Sequence, residues 1–260
     1  MKNLKEVIVR SPLHKLSIDL KAKRELGQFS AVNDRILDRS TVYCISPYKT
    51  ATRYLNGCYR PEISAHEPLH YLSLRELNKN FDDFFVRRLN TLNLKLECSG
   101  FFSAYIEELT NNPIAANLHY IIILRSPSSW ITSAVNFWDQ LSEKGIHYHY
   151  PNRLFWMKKV GVDLDHLLKV TEKERQEGLQ KLEEFYMNFT EKTKLLKNVH
   201  YVRIEEIDSI LPFLDELIDE ESRPEKSQTL ANKQKVFRYK NEELDKRYNM
   251  LTRELLENTK

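Results

Sequence analysis

The chain has 260 residues, of which 41% are hydrophobic and 30% charged, a balance typical of a globular protein with a hydrophobic core. The formal net charge of +3 is too small to indicate nucleic-acid binding, and no apolar stretch is long enough for a membrane span. The three cysteines lack metal-ligand spacing and the N-terminus lacks a signal-peptide pattern, so we expect a cytoplasmic protein.

The length and the pattern fit one domain. We expect an N-terminal segment of unclear role over residues 1–40, a core over residues 41–212, and a charged C-terminal segment over residues 213–260 that ends in a helix. The sequence gives no sign of an internal repeat.

The segment Thr41–Tyr59 predicts a strand followed by an anion site. Val42–Ile45 is β-branched and aromatic, as in a short buried strand, and Pro47 ends it. Lys49 then stands among hydroxylated residues at the start of an apolar-periodic helix. A cation beside a helix N-terminus favours an anion, and we expect that anion to be a phosphate.

A predicted helix and three predicted strands extend the same pattern. Phe81–Leu92 predicts an amphipathic helix and Leu94–Cys98 a second strand. Tyr120–Leu124 is a continuous apolar run, typical of a central parallel strand, and it ends at Arg125. Val199–Ile204 predicts a late strand. The order predicts a three-layer α/β, P-loop-like fold, with a four- or five-stranded, mainly parallel sheet and a nucleotide at the carboxyl ends of the strands.

The anion loop departs from the nucleotide-binding pattern G-x-x-x-x-G-K-[ST], because Tyr43 and Tyr48 stand at the two glycine positions. The run Pro47-Tyr48-Lys49-Thr50-Ala51-Thr52 instead resembles the 5′-phosphosulfate loop of sulfotransferases that use 3′-phosphoadenosine 5′-phosphosulfate (PAPS). Those enzymes also place an Arg at a later strand end and a Ser eight residues further along, and here Arg125 and Ser133 have that spacing.

The resemblance implies roles for individual residues. Lys49 would stabilise charge on the leaving product, 3′-phosphoadenosine 5′-phosphate (PAP). Arg125 and Ser133 would hold the 3′-phosphate, and Tyr54 would stack on the adenine. The remaining cofactor contacts implied are Thr50, Ala51, Thr52 and Arg53 around the 5′-phosphosulfate, and the late basic residues Lys233 and Arg238.

The acceptor must lose a proton, and the segment from His66 to His70 supplies three candidate bases. Glu67-Pro68-Leu69 resembles a segment of carbohydrate sulfotransferases, which favours Glu67 over His66 and His70. Pro68 is expected to hold Glu67 extended and to direct its carboxylate into the cleft.

The same five residues also match the zinc-protease pattern His-Glu-x-x-His. That function needs both histidines on one continuous helix, which Pro68 opposes at a cost of about 3 kcal/mol. The pair His147 and His149 is compatible with a metal site, but its interleaved tyrosines favour an exposed loop or part of an acceptor pocket. We therefore expect no metal requirement.

Taken with the resemblance, these patterns predict an enzyme that moves a sulfonate from PAPS to a hydroxyl on a saccharide or saccharide-bearing metabolite. The partners expected are a small-molecule or saccharide acceptor and neither nucleic acid nor membrane. Two alternatives stay open: a P-loop kinase that uses ATP, and a protein that binds PAP without catalysis.

Overall fold

The computed structural model describes residues 41–144, 151–226 and 236–257, with residues 20, 23, 24, 26 and 27 of the N-terminal segment. Five strands form one all-parallel sheet in the order β2-β3-β1-β4-β5, which confirms the expected α/β fold. The strands are β1 (Val42–Cys44), β2 (Ser64–His66), β3 (Leu96–Cys98), β4 (His119–Leu124) and β5 (Asn198–Arg203).

Helices flank the sheet on both faces. They are α1 (Thr52–Gly57), α2 (His70–Glu76), α3 (Phe81–Leu92), α4 (Ile106–Asn111), α5 (Pro127–Lys144), α6 (Glu172–Lys192), α7 (Leu211–Ile218) and α8 (Glu242–Glu257). Shorter 3₁₀ segments are Gly100–Ala104, Ala115–Asn117, Thr193–Leu195, Ile204–Ile210 and Pro224–Lys226, and Asn152–Val160 forms a π-helix. No helix in the described ranges has the length and apolar character needed to cross a membrane.

The alternation of side chains along the central strands divides the core into two layers. Tyr43 of β1 and Tyr120 of β4 join a large cluster on one face of the sheet, whereas Val42 and Ile121 join a smaller one on the other. Both faces of β4 are therefore buried, as its continuous apolar sequence predicts.

The strand order creates a crevice between β1 and β4. After β1 the chain moves towards β2 and β3 on one side, and after β4 it moves to β5 on the other. Because the chain leaves these two adjacent parallel strands in opposite directions, a gap opens between them at the carboxyl edge of the sheet. Ligands bind in this gap in such sheets. The loop after β1 and the turn after β4 meet there.

A buried ion pair fixes the carboxyl end of β3. Arg88 of α3 and Glu97 of β3 are both fully buried, and Arg88 Nη1 donates to Glu97 Oε2 at 2.5 Å. Arg88 also donates to Ser73 Oγ and to the Pro68 carbonyl, each at 2.8 Å, and Ser99 Oγ donates to the second Glu97 oxygen at 2.5 Å. Every charged atom of the pair therefore has partners, and α2, α3 and β3 are tied together.

Removing one member of this pair leaves a buried charge unpaired. We expect Arg88→Met to lower the free energy of unfolding by about 3–5 kcal/mol, as measured by urea denaturation. The control is Lys194→Met, which removes a surface ion pair to Glu254 (2.9 Å) and is expected to cost less than about 1 kcal/mol. Equal losses in the two variants would contradict this assignment.

Candidate functional site

The loop that follows β1 is held in an unusual backbone conformation. Lys49 and Ala51 have φ angles of 72° and 66°, in the left-handed region that side chains disfavour. Each such residue costs about 1–3 kcal/mol and persists only where its surroundings impose the conformation. The loop leads into α1, which has only six residues, so the charge at this site comes mainly from side chains rather than from the helix end.

Buried hydrogen bonds impose that conformation. The hydroxyl of Thr50, which is fully buried, donates to the Pro47 carbonyl at 2.7 Å and closes the turn. The Ile123 amide of β4 donates to Ser46 Oγ at 2.6 Å. These bonds join the loop to itself and to β4, so Thr50 shapes the loop from inside.

Tyr48 anchors the middle of the loop. Its ring is buried against Phe155 and Trp156, and the Trp130 indole donates to its carbonyl at 2.8 Å. Gly100 packs against its backbone so closely that a Cβ on Gly100 would lie 2.8 Å from the Tyr48 nitrogen. Any other residue at position 100 would collide with backbone, which moves much less than a side-chain tip.

Arg125 and Lys49, which the sequence placed at two strand ends, meet in the crevice. Arg125 Nη1 donates to the Lys49 carbonyl at 2.6 Å, and Lys49 Nζ lies 4.1 Å from the centre of the Phe137 ring. Burial, followed by the charges of Arg125 and Arg53, lowers the pKa of Lys49 to about 8. Burial also lowers the pKa of Arg125.

Among the residues that the structure describes, no carboxylate forms an ion pair with these cations, although the charge of Glu205 partly opposes the lowering of the Arg125 pKa. Lys49, Arg53 and Arg125 form no ion pair there, although surface lysines and arginines elsewhere in those ranges do. Half-buried positive charge without a counter-charge is unfavourable, and a bound anion would relieve it.

One stripe of α5 faces this group of cations. Ser129 accepts a hydrogen bond from Arg125 Nε at 3.0 Å, and Phe137 contacts Lys49, eight residues further along the helix. Ser133 lies one helical turn from each of them and therefore shares their side of α5. The helix period thus puts Ser133 on the side of α5 that carries the contacts to Arg125 and Lys49, and its role in binding phosphate stays a prediction.

His66 ends β2 on the other side of the loop. Its Nε2 atom lies 3.3 Å from Thr52 Oγ1. Burial, and then the charges of Arg53 and Lys49, lower the pKa of His66 to about 4, so its imidazole is neutral at physiological pH. The Arg53 side chain itself is exposed.

The expected extended conformation of Glu67 is wrong. Its φ angle is 52°, in the left-handed region, which satisfies the restriction imposed by Pro68 without an extended chain. The carboxyl group turns inward: Oε1 accepts from the Gly100 amide at 2.8 Å, and Oε2 is buried without a hydrogen-bond partner. Burial raises the pKa of Glu67 to about 8.

Tyr54 and Arg238, two other expected cofactor residues, lie further out than Lys49 and Arg125. Tyr54 donates its hydroxyl to Asp208 Oδ1 at 2.6 Å, which links α1 to the 3₁₀ segment after β5. Arg238 is exposed on a short segment that runs along α5. Lys233, His147 and His149 lie outside the described residues.

The segment that carries Arg238 is fixed to α5 by hydrogen bonds between its backbone and side chains of the helix. Asn136 donates to the Phe237 carbonyl at 2.7 Å and accepts from the amides of Val236 and Phe237 at 2.9 and 3.0 Å. Thr132 accepts from the Tyr239 amide at 3.0 Å. The C-terminal segment is therefore docked on the same helix that carries Ser133.

Sequence reasoning missed several of these contributors. Glu97 gave a usable signal, because a carboxylate between Leu96 and Cys98 in a buried strand requires a buried cation. Arg88 also gave a signal, because it follows Phe84 and Phe85 by four and three residues and so falls on the apolar stripe of α3. Phe137 resembled any other core aromatic.

Comparisons with protein-family models, with curated proteins and with solved structures found no match to this chain. In the part of the chain that the structure describes, no group of three or more His, Cys, Asp and Glu side chains is arranged to hold a metal ion.

The lowered pKa of Lys49 gives a direct test of the anion site. Lys49 is charged below about pH 8 in the folded protein and loses its proton as the pH rises through that value. Because a bound anion stabilises the ammonium form, we expect sulfate to move the titration upward by about one unit or more. The measurement is NMR of methyl-labelled lysines, and Lys49→Arg identifies the signal by its loss. A Lys49 signal that titrates near pH 10.5 with and without sulfate would contradict the site.

Proposed function

We propose that this chain is a sulfotransferase that moves a sulfonate from PAPS to a hydroxyl of a saccharide or saccharide-bearing metabolite. The observation that carries the proposal is the meeting of Lys49 and Arg125 in the β1–β4 crevice, with no carboxylate paired to either among the described residues. A nucleotide with phosphate groups at both ends of its ribose supplies two anionic groups for such a site.

Each cation has a distinct part in the proposed reaction. The bond from sulfur to the bridging oxygen of PAPS breaks while a bond from sulfur to the acceptor oxygen forms. Lys49 stabilises the negative charge that grows on the departing PAP oxygen, and Arg125 with Ser133 binds the 3′-phosphate. Because the sulfonate itself needs little covalent assistance, positioning and charge supply most of the catalysis.

Glu67 is the base that we propose for the acceptor proton. Its orphaned Oε2 supports this role, since a buried polar atom without a partner is rare and marks functional sites. The raised pKa, about 8, lies near physiological pH, where a carboxylate becomes an effective proton acceptor. His66, with its pKa of about 4, and His70 are the rival bases.

An ATP-dependent kinase is the second candidate, and the loop argues against it. A triphosphate-binding loop wraps its ligand with flexible glycines, whereas here the ring of Tyr48 is buried and its backbone is pressed against Gly100. A protein that binds PAP without catalysis would have the same cation geometry, so turnover must be measured directly.

The 3′-phosphate assignment predicts a ranking of nucleotides. We expect PAP to bind roughly tenfold or more tightly than ADP, since each bond to a charged group contributes about 1.5–3 kcal/mol. Ser133→Ala should reduce the difference between the PAP and ADP affinities, because it weakens the binding of PAP alone. The measurement is calorimetry with PAP, ADP and Mg·ATP.

Thr91→Ala serves as the control, because Thr91 lies at the end of α3, at the opposite edge of the sheet, and bonds only locally to the Arg87 carbonyl. It should leave both affinities unchanged. Equal binding of PAP and ADP by the unmodified protein would refute the cofactor assignment, and tighter binding of Mg·ATP would favour the kinase.

The pH profile identifies the base. If Glu67 accepts the proton, turnover at saturating PAPS should rise with pH through an apparent pKa near 8. A base with the pKa of His66 would instead give activity that is already full at pH 6. Glu67→Gln should lower turnover by roughly 10²–10⁴ with PAP affinity nearly unchanged. Full activity in Glu67→Gln, together with an inactive His66→Ala or His70→Ala, would assign the role to that imidazole.

A further inference from the structure

Glu67, the proposed base, lies where its ionised form is unfavourable. Glu67 must be ionised to accept a proton, yet its side chain is only 10% exposed and Oε2 has no hydrogen-bond partner. The nearest charged pair, Arg88 and Glu97, is internally neutralised, so it provides little net charge to hold Glu67 as an anion. Another group is needed to take the proton when Glu67 ionises.

His70 is placed to take that proton. Its Nε2 atom lies 3.7 Å from Glu67 Oε2, and a shift of about 0.9 Å would bring the two atoms to hydrogen-bond distance. The same nitrogen is 2.8 Å from the Tyr48 hydroxyl, and the ring is stacked on Phe101 at 5.6 Å. These contacts fix the edge of the imidazole that faces Glu67.

Other titratable groups around the pair do not replace His70. Burial raises the pKa of Tyr48 and of Tyr105 well above the ordinary value, so neither phenol is an anion near neutral pH. The Lys49 ammonium lies over Phe137 on α5. An ionised Glu67 carboxylate, with Oε2 3.7 Å from His70 Nε2, favours the protonated form of the imidazole.

We propose that His70 is a positioning residue that holds the proton released by Glu67, so that the two side chains share one proton. The inference rests on the proposed function for its catalytic meaning. In the resting form Glu67 is a neutral acid and His70 a neutral imidazole. In the resting form His70 Nε2 accepts from the Tyr48 hydroxyl, 2.8 Å away. In the active form the Tyr48 hydroxyl hydrogen has rotated away and the proton has left Glu67 Oε2 for His70 Nε2, with no change in net charge. The carboxylate then takes the acceptor hydroxyl proton as the sulfur–oxygen bond forms.

The experiment measures the ionisation of Glu67 separately from turnover. Infrared difference spectra between the unmodified protein and Glu67→Gln isolate the carbonyl stretch of the protonated Glu67 acid. His70→Gln keeps a polar side chain beside Tyr48 but cannot hold a proton. Without the imidazolium we expect the acid band to persist to a pH about 1–3 units higher. The exposed His166, which is 3.0 Å from Asp163, supplies the control His166→Gln, which should not move the band.

The second measurement is the turnover of His70→Gln as a function of pH. At pH 7 His70→Gln should lose roughly tenfold or more in turnover and regain it as the pH rises, because hydroxide then ionises Glu67 without the imidazole. A merely structural His70 would give a loss that does not depend on pH. An acid band that titrates identically in the unmodified protein and in His70→Gln overturns the proposal. If the band shifts but PAPS is never consumed, the shared proton stands and the proposed function fails.

Discussion

The site depends on positive charge that the fold brings together without forming an ion pair to it within the described ranges. Lys49 leaves β1 and Arg125 leaves β4, and because these strands are parallel neighbours, both side chains emerge at the same edge. Repulsion between them, added to burial, lowers the pKa of Lys49 to about 8. The protein tolerates this cost because the loop is fixed by buried bonds to β4 rather than by the charges themselves. Under the proposed function, an anion would therefore bind to a site that is already organised.

On the other side of Tyr48 from these cations, the buried charges are paired. Arg88 and Glu97 form a fully bonded pair in the core, and their contacts reach Pro68 and Ser99 on either side of the Glu67–Gly100 bond. A satisfied pair of this kind contributes little net stability compared with apolar packing. Its value here is geometric, because it fixes the two chain segments that hold the Glu67 carboxyl group in a low-dielectric environment.

The sequence predicted the features that follow from local pattern and parallel-sheet geometry. The apolar run of β4, the strand before Lys49 and the helix that follows Arg125 are all of this kind. It failed where distant side chains decide the outcome: the left-handed conformation of Glu67 depends on the Gly100 amide, 33 residues away, and the burial of Arg88 depends on Glu97. Pro68 excludes the right-handed helical conformation for Glu67, but it does not decide which of the remaining conformations Glu67 adopts.

Tyr48 explains why a tyrosine replaces the glycine of a triphosphate-binding loop. Its carbonyl accepts from Trp130 beneath α5, its backbone nitrogen is pressed against Gly100, and its hydroxyl lies against His70. One residue therefore connects the helix behind the cations to the buried acid and imidazole. A glycine there would keep the backbone contacts but lose the ring and the hydroxyl, and with them the link between the two halves of the site. The bulky side chain thus joins the cationic group of Lys49 and Arg125 to the buried side chains of Glu67 and His70 in one packed structure.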